Sequence, residues 1–108
     1  MANTFKLKTK ANVGVSTSNV YVVPSATTTV VIGVTLANTS GSSINVGVGV
    51  TRASTDDVKL MKNVPIPQGS SFEFMAGNKV VLETTDTLTA ESDVSNSLEV
   101  ALTIMEIT

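Results

Sequence analysis

Cysteine and histidine are both absent from this chain of 108 residues, and the two absences exclude several kinds of chemistry. Without cysteine the chain has no disulfide and no thiolate nucleophile, which excludes a disulfide-stapled secreted scaffold. Without either residue it lacks the ligands of the usual zinc sites. The acidic clusters around Asp56 and Asp93 do not have the spacing of a calcium-binding loop. We therefore predict that the protein holds no metal ion.

The same absences leave little for catalysis. General acid–base chemistry without histidine needs a carboxylate or lysine whose pKa is shifted several units by burial. We interpret strand alternation as placing Glu99 and Glu106 outward, away from any apolar setting. The "GVGV" segment Gly47–Val50 lacks the spacing of a dinucleotide fingerprint, and its glycines instead predict a flat surface for packing within the domain or between subunits. We predict no enzyme activity, no catalytic residues and no cofactor.

Aromatic residues and positive charge are also scarce. The chain has no tryptophan, one tyrosine, a net charge of −2 and a pI of about 4.9, so neither stacking platforms nor a basic field for nucleic acid are expected. The longest apolar run, Val30–Val34, is far shorter than a membrane span, and the first ten residues lack the apolar core of a signal peptide. We expect no nucleic-acid or membrane partner and synthesis in a cytoplasm.

What the chain does contain is valine, threonine and serine in short alternating segments. β-Branched side chains pack well on a pleated surface. Eight or nine such segments recur at intervals of about 8–12 residues, separated by turn residues. This pattern predicts an all-β fold, namely one antiparallel β-sandwich over residues 1–108 with either a jelly-roll or an immunoglobulin-like topology. Residues 1–4 could form an extended N-terminal arm.

The first predicted strand, Phe5–Val15, is the one cationic feature. Alternation assigns its apolar side chains to the core face and its lysines to the solvent face: Phe5, Leu7, Ala11 and Val13 against Lys6, Lys8 and Lys10. A row of lysines suits an edge strand, where it discourages stray pairing. We predict that this lysine strip (Lys6, Lys8 and Lys10) contacts another protein.

A second predicted contact region is the proline-rich segment Pro65–Ser71. Each proline disfavours helical conformation in the residue before it, and Gly69 permits a turn, so we predict an extended connector between two hairpins. The predicted contact residues in this connector are Pro65, Ile66, Pro67, Gln68 and Gly69. The phenylalanines Phe72 and Phe74, which follow it, are predicted to join Phe5 in the core.

Charge is distributed unevenly along the chain. Every lysine and arginine lies at or before Lys79, whereas most acidic residues lie in the second half. Ordinary solubility explains this distribution. An alternative is that the basic and acidic halves meet across a contact between subunits, where charge would determine orientation.

Five segments together resemble small virion structural proteins of tailed bacteriophages, particularly phages of marine cyanobacteria. They are "MANTFK", "YVVPSATTTVVIGVTLAN", "VPIPQGSSFEF", "KVVLETTDTLTAES" and "LEVALTIMEIT". The resemblance covers almost the whole chain, and its motifs are architectural rather than catalytic. It implies a β-sandwich that forms homo-oligomers, a trimer being one expected form, and that binds the major capsid protein or other virion proteins.

The function predicted from these observations is that of a capsid decoration, or cement, subunit in the virion, assembled in the host cytoplasm. One alternative is a structural component of the tail, neck or fibre attachment. Another is a glycan-binding surface module, which the lack of exposed aromatic platforms disfavours.

Overall fold

The computed structural model describes residues 3–52, 56–74 and 79–108, and every helix or strand assigned within these ranges is a β-strand. The strands are β1 (Asn3–Val13), β2 (Ser18–Val22), β3 (Thr28–Asn38), β4 (Ile44–Thr51), β5 (Asp57–Ile66), β6 (Ser71–Phe74), β7 (Val80–Leu82), β8 (Thr87–Ser92) and β9 (Leu98–Ile107). They form two antiparallel sheets packed face to face. The predicted all-β sandwich is confirmed.

Strand order distinguishes the two topologies that the sequence left open. One sheet has the order β1-β9-β3, with β6 and β7 both pairing with the far side of β3, and the other has the order β2-β8-β4-β5. Among the described strands, β4 and β5 are the one consecutive pair that is hydrogen-bonded together. β6 and β7 follow each other along the same side of β3, and every other connection crosses from one sheet to the other. This wrapping is the jelly roll, whereas an immunoglobulin-like sandwich places its first two strands side by side.

The core lies between the sheets and is formed by alternate residues of the long strands. In β9, Leu98, Val100, Leu102 and Ile104 are all buried, as their shared parity predicts. The strand is central, between β1 and β3, also as predicted. The remaining buried apolar side chains belong to all parts of the sandwich: Val13, Tyr21, Val23, Val31, Val34, Leu36, Ile44, Val46, Val48, Val50, Met61, Ile66, Leu82, Leu88 and Ala90.

The predicted orientation of β1 is wrong over most of its length. Lys6, Lys8 and Lys10 lie opposite Ile104, Leu102 and Val100 in the register. Residues directly opposite each other share a face, so the lysines lie on the core-facing side of this edge strand. Phe5 and Leu7 lie on the outer side and are 69% and 64% exposed. Phe5 therefore does not belong to the core.

A β-bulge explains the error. The register shifts between Lys10 and Val13, and Asn12 has a φ of 58°. One extra residue reverses which parity faces inward. Val13 is thus fully buried opposite Leu98, although Leu7, of the same parity, is exposed. Simple alternation assigned both residues to one face because it contains no bulge.

Three smaller expectations change in the structure. β1 begins at Asn3, so residues 3 and 4 belong to a sheet, and residues 1 and 2 lie outside the described ranges. Pro65 and Ile66 are the last residues of β5 rather than part of a connector, and the Ile66 side chain is buried in the core. Phe72 is partly exposed at the edge of its sheet. The side chain of Phe74 lies outside what the structure describes.

The two glycines of β4 have a role within the subunit. Gly47 lies opposite Glu91 of β8, and Gly49 lies opposite Lys59 of β5, on the outer face of the four-stranded sheet. The Lys59 Nζ and Glu91 Oε1 atoms are 2.9 Å apart, so their ion pair crosses β4 above the glycines. A side chain at position 49 would crowd this pair, because its Cβ would lie 3.3 Å from Lys59 Cδ. The flat face is therefore covered by the chain's own residues.

We expect Gly49→Ala to destabilise the fold and Gly47→Ala to be nearly neutral. A Cβ at position 49 would lie 2.9 Å from the Val58 carbonyl oxygen, whereas a Cβ at position 47 would meet nothing closer than 3.4 Å. Overpacking against backbone costs about 1–3 kcal/mol, and the matched Gly47 variant should stay within about 1 kcal/mol of wild type. Urea unfolding followed by circular dichroism measures both. Equal stability of the two variants would contradict this account of Gly49.

Candidate interaction surface

The outer face of the five-stranded sheet carries a row of apolar side chains across four strands. Phe5 lies opposite Met105, Met105 opposite Val30, and Val30 opposite Val81. The two ends of this row are the most exposed, since Val81 is 59% exposed and Phe5 more so, while Met105 and Val30 are half-buried. Leu7 extends the row along β1, one alternate position further. We call Phe5, Leu7, Val30, Val81 and Met105 the apolar patch.

Further along the same face the side chains become small. Thr9 lies opposite Ala101, and Ala101 opposite Thr35. These residues line a shallow depression of about 380 Å³ together with Lys10, Ala11, Ala37, Glu99 and Val100. We call this depression the hollow. Phe5 and Thr9 are four residues apart in one strand, so the patch and the hollow lie about 13 Å from each other along the strands.

The outer face of the other sheet is different in character. Its centre is covered by the Lys59–Glu91 pair described above. Beside this pair, the Thr89 hydroxyl donates a hydrogen bond to the Gly49 carbonyl oxygen at 3.2 Å. Polar groups of the chain itself thus occupy the middle of that face. Of the two outer faces, the five-stranded one is the more apolar, although Glu73 of β6 brings a carboxylate onto it and accepts a hydrogen bond from Thr35 Oγ1 at 3.3 Å.

A buried polar cluster lies along the side of the sandwich where the edge strands β1 and β2 face each other. Glu106 of β9 is 5% exposed and lies on the core-facing side, so the prediction that it points outward is wrong. The same prediction for Glu99 is correct. The Tyr21 hydroxyl donates to Glu106 Oε2 at 2.5 Å and lies 2.8 Å from Thr29 Oγ1. Lys6 Nζ lies 2.8 Å from Glu106 Oε1. The cluster joins β2 of one sheet to β1, β3 and β9 of the other.

The pKa values of Glu106 and Tyr21 are shifted in opposite directions. The pKa of the Glu106 carboxyl is lowered, chiefly because Lys6 and then Tyr21 form hydrogen bonds with it. Burial, and after it the hydrogen bond to the Glu106 carboxylate, together raise the pKa of the Tyr21 phenol to about 12. At neutral pH the cluster is therefore an ionised carboxylate held by an ammonium and a neutral phenol. Such a group holds its protons in place, and a high phenol pKa makes Tyr21 a poor nucleophile.

A second charged cluster closes the turn between β7 and β8. Arg52, at the end of β4, reaches Glu83 Oε1 at 2.5 Å with its Nη2 and Asp86 Oδ1 at 3.2 Å with its Nε. The other oxygen of Asp86, Oδ2, accepts a hydrogen bond from the Glu83 backbone N–H at 2.9 Å. Asp86 is buried, and these partners satisfy it. The cluster fixes the point at which the chain passes from one sheet to the other.

These ion pairs join the basic and acidic halves of the chain to each other. Lys6 pairs with Glu106, Arg52 with Glu83 and Asp86, and Lys59 with Glu91. Each pair has its cation in the first two-thirds of the sequence and its anion in the last third. The uneven charge distribution thus serves contacts within one subunit. A role for the remaining charges between subunits stays a prediction.

The two predicted contact regions lie at opposite edges of the sandwich. The lysine strip is on β1, at one edge of the five-stranded sheet, and Lys6 is already engaged with Glu106. Pro65 is exposed in β5, the edge strand of the other sheet, and Pro67, Gln68 and Gly69 are exposed in the turn that follows. The structure does not bring the two regions together. Sequence reasoning missed the apolar patch, because only the bulge in β1 reveals that Phe5 and Leu7 face outward.

The chain has no histidine or cysteine, so Asp and Glu are the side chains of this kind that could bind a metal ion. In residues 3–52, 56–74 and 79–108, no group of three or more of them is placed to hold one. Within those ranges, no helix is long and apolar enough to cross a membrane.

Comparison with known proteins supports the fold. No family model matches the chain, and no curated protein matches its sequence. A chain from a solved structure of Bacillus endospore appendages, described as "a novel family of disulfide-linked pili", is similar, with a TM-score of 0.60 over 99% of this chain and 87% of that one. The sequence identity is 11%, so the likeness concerns architecture. The fold defines a small two-sheet β-sandwich protein of jelly-roll topology.

The single tyrosine makes the buried cluster directly observable. We expect Tyr21 to ionise with a midpoint of about 12 in the folded protein and near 10 in the urea-unfolded chain. Because the folded pKa is the higher one, the associated stability is complete below pH 10 and is lost between about pH 10 and 12. Phenolate absorbance, recorded against pH in native and unfolding buffers, measures both midpoints. A native midpoint near 10 would mean that the phenol is not buried against Glu106.

Glu106 should matter to stability far more than Glu99 on the same strand. Glu106→Gln removes the charge that Lys6 and Tyr21 hold, at a cost of about 1–3 kcal/mol near pH 7, while the exposed control Glu99→Gln should cost less than about 0.5 kcal/mol. The lowered pKa of Glu106 contributes stability above its unfolded value of about 4.3, and this is lost as pH falls through the folded pKa. The variant should therefore show a flatter acid limb in urea unfolding against pH. An unchanged acid limb would refute this role.

Proposed function

We propose that the protein is a non-enzymatic structural subunit of an assembly that contains many copies of it. The observation that carries this proposal is the apolar patch. Monomeric soluble proteins rarely expose a large contiguous apolar surface, and such surfaces commonly mark contacts with other proteins. Phe5 and Leu7 are among the largest side chains of a chain poor in aromatics, yet both are mostly exposed. A surface of this kind is expected to be covered in the working state.

The buried polar cluster supports the non-enzymatic part of the proposal. A catalytic base needs a pKa near the working pH and access to a substrate. Glu106 has a lowered pKa and Tyr21 a raised one, and both side chains are buried. Their hydrogen bonds join the two sheets. The cluster therefore suits stabilisation of the sandwich better than proton transfer.

In its more specific form, we propose that the assembly is the virion of a tailed bacteriophage and that the chain decorates the outer capsid. Support comes from the five segments that resemble small virion structural proteins and from the architecture, since jelly rolls are common in viral capsids. A shell presents many identical sites, so contacts that are weak individually become strong together. Lys8, Lys10 and the exposed turn residues Pro67, Gln68 and Gly69 are the proposed capsid contacts.

Cosedimentation with undecorated capsids of the phage that encodes the chain tests this form. We expect saturable binding at physiological salt, weakened by the double variant Lys8→Gln/Lys10→Gln and unaffected by Lys79→Gln, an exposed lysine just before β7 that belongs to neither proposed contact region. Binding through lysines should also weaken as salt rises, because the charges are screened. Absence of binding at physiological salt would overturn the capsid role.

A fibre, tail or neck component is the second candidate. The observation that favours it is the fold shared with a chain of the Bacillus endospore appendages, which are described as pili. This chain has no cysteine, so a fibre built from it would be held by non-covalent contacts rather than disulfides. Copy number in purified particles separates the candidates. A decoration protein is present in hundreds of copies, and a tail or neck part in a small multiple of three or six, as densitometry of whole virions would show.

A further inference from the structure

We propose that the outer face of the five-stranded sheet binds the same face of a second copy of this chain, related by a two-fold axis. The inference rests on the proposed function, because it names the surface through which a multi-copy subunit meets itself. Its occupant is another copy of the chain rather than the capsid.

The face is complementary to itself. The apolar patch projects large side chains at one end of the strands. The hollow lies at the other end, where small side chains predominate and Lys10 and Glu99 are the charged residues of the lining. Both features share the same strands: Phe5 and Thr9 belong to β1, and Met105 and Ala101 to β9. A shape with a projection and a matching depression on one surface satisfies the requirement of an isologous contact, in which each copy uses the same residues.

The register locates the axis. A two-fold axis that lies between the two faces and runs across the strands exchanges the two ends of the sheet. Phe5 of one copy then lies over Thr9 and Ala101 of the other, and the reverse contact forms at the same time. Leu7, midway between Phe5 and Thr9, lies on the axis and meets Leu7 of the second copy. The sheets would stack at the spacing of about 10 Å that packed sheets adopt.

The area is sufficient for a specific but weak pair. Four strand positions at about 4.8 Å spacing and about nine residues at about 3.3 Å each give about 600 Å² per copy. The total of about 1,200 Å² is at the lower end of the range for specific interfaces. A pair of this size suits a lattice, where neighbouring contacts add to it.

Three of the four described sheet edges are poorly suited to pairing with another chain, and the fourth consists of the short strands β6 and β7. The edge strand β1 directs its three lysines to the core-facing side, and inward-pointing charges oppose added strands. The edge strand β5 contains Pro65 and register irregularities, and β2 contains another irregularity between Asn19 and Tyr21. The opposite outer face is closed by the Lys59–Glu91 pair. These features leave the apolar face as the surface best suited to self-association.

Charge variants at Leu7 test the axis. Sedimentation velocity between about 1 µM and 1 mM should show wild type passing from the monomer mass of 11.2 kDa to twice that mass. Leu7→Lys and Leu7→Glu place like charges against each other, so each alone should dimerise at least about tenfold more weakly. An equimolar mixture of the two variants should recover the dimer, because opposite charges then meet at the axis. Circular dichroism confirms that both variants fold.

A matched pair of variants tests the surface independently. Phe5→Ser should weaken the dimer at least about tenfold, whereas Val22→Ser should not change it. Val22 is also an exposed apolar residue on a strand, but it belongs to β2 of the other sheet. Equal effects of the two variants would show that the apolar patch is not the contact.

Several outcomes would overturn the inference: a monomeric wild type at 1 mM, dimers that Leu7→Lys leaves intact, or no recovery in the mixture. Capsid binding by a chain that stays monomeric would overturn the inference and leave the proposed function standing. A dimer that forms as described but binds no capsid would support the inference and remove the capsid role. The two proposals can therefore fail separately.

Discussion

The ion pair between Lys6 and Glu106 determines which way the first strand faces, and the surface of the protein follows from that. A strand has two faces, and a residue on one face forces its neighbours to the other. Since Lys6 reaches a carboxylate on the core-facing side, Phe5 and Leu7 must lie outside. The apolar patch is thus a consequence of an electrostatic contact at the rim of the core.

Glu106 would be costly to bury without its partners. An isolated carboxylate in an apolar interior loses its hydration, and the loss is offset only when hydrogen bonds and an opposite charge replace water. Tyr21 and Lys6 provide both here, and Thr29 satisfies the phenol oxygen in turn. These partners come from three different strands. The requirement that Glu106 be satisfied therefore helps to fix the relative position of the two sheets.

The outer faces of the two sheets differ in polarity. Polar side chains cover the face of the four-stranded sheet, whereas apolar side chains are exposed on that of the five-stranded sheet. On the four-stranded sheet, the absence of side chains at Gly47 and Gly49 lets Lys59 and Glu91 meet across the central strand. On the five-stranded sheet, no comparable ion pair crosses β3 or β9 among the described residues. That face instead carries Met105 and Val30 at its centre and small residues beyond them. The difference makes the five-stranded face the one on which self-association is proposed.

Sequence reasoning was reliable where alternation runs without interruption and failed where a bulge intervenes. In β9 the inward set from Leu98 to Ile104 was correct, and its continuation to Glu106 was missed although the parity is the same. In β1 the bulge after Lys10 reversed the faces, so that the lysines and not Phe5 and Leu7 lie on the core-facing side. A bulge depends on how the partner strand is paired, and a partner distant in sequence leaves no local signal.

The amino-acid sequence by itself determined the all-β class, the approximate strands and the lack of thiol, imidazole and disulfide chemistry, because composition and two-residue periodicity are local properties. Only the tertiary structure decided the jelly-roll order, the burial of Glu106 and the outward direction of Phe5 and Leu7. Each of these depends on which distant strands become neighbours and in what register. Pairing of that kind is settled by the packing of the whole chain.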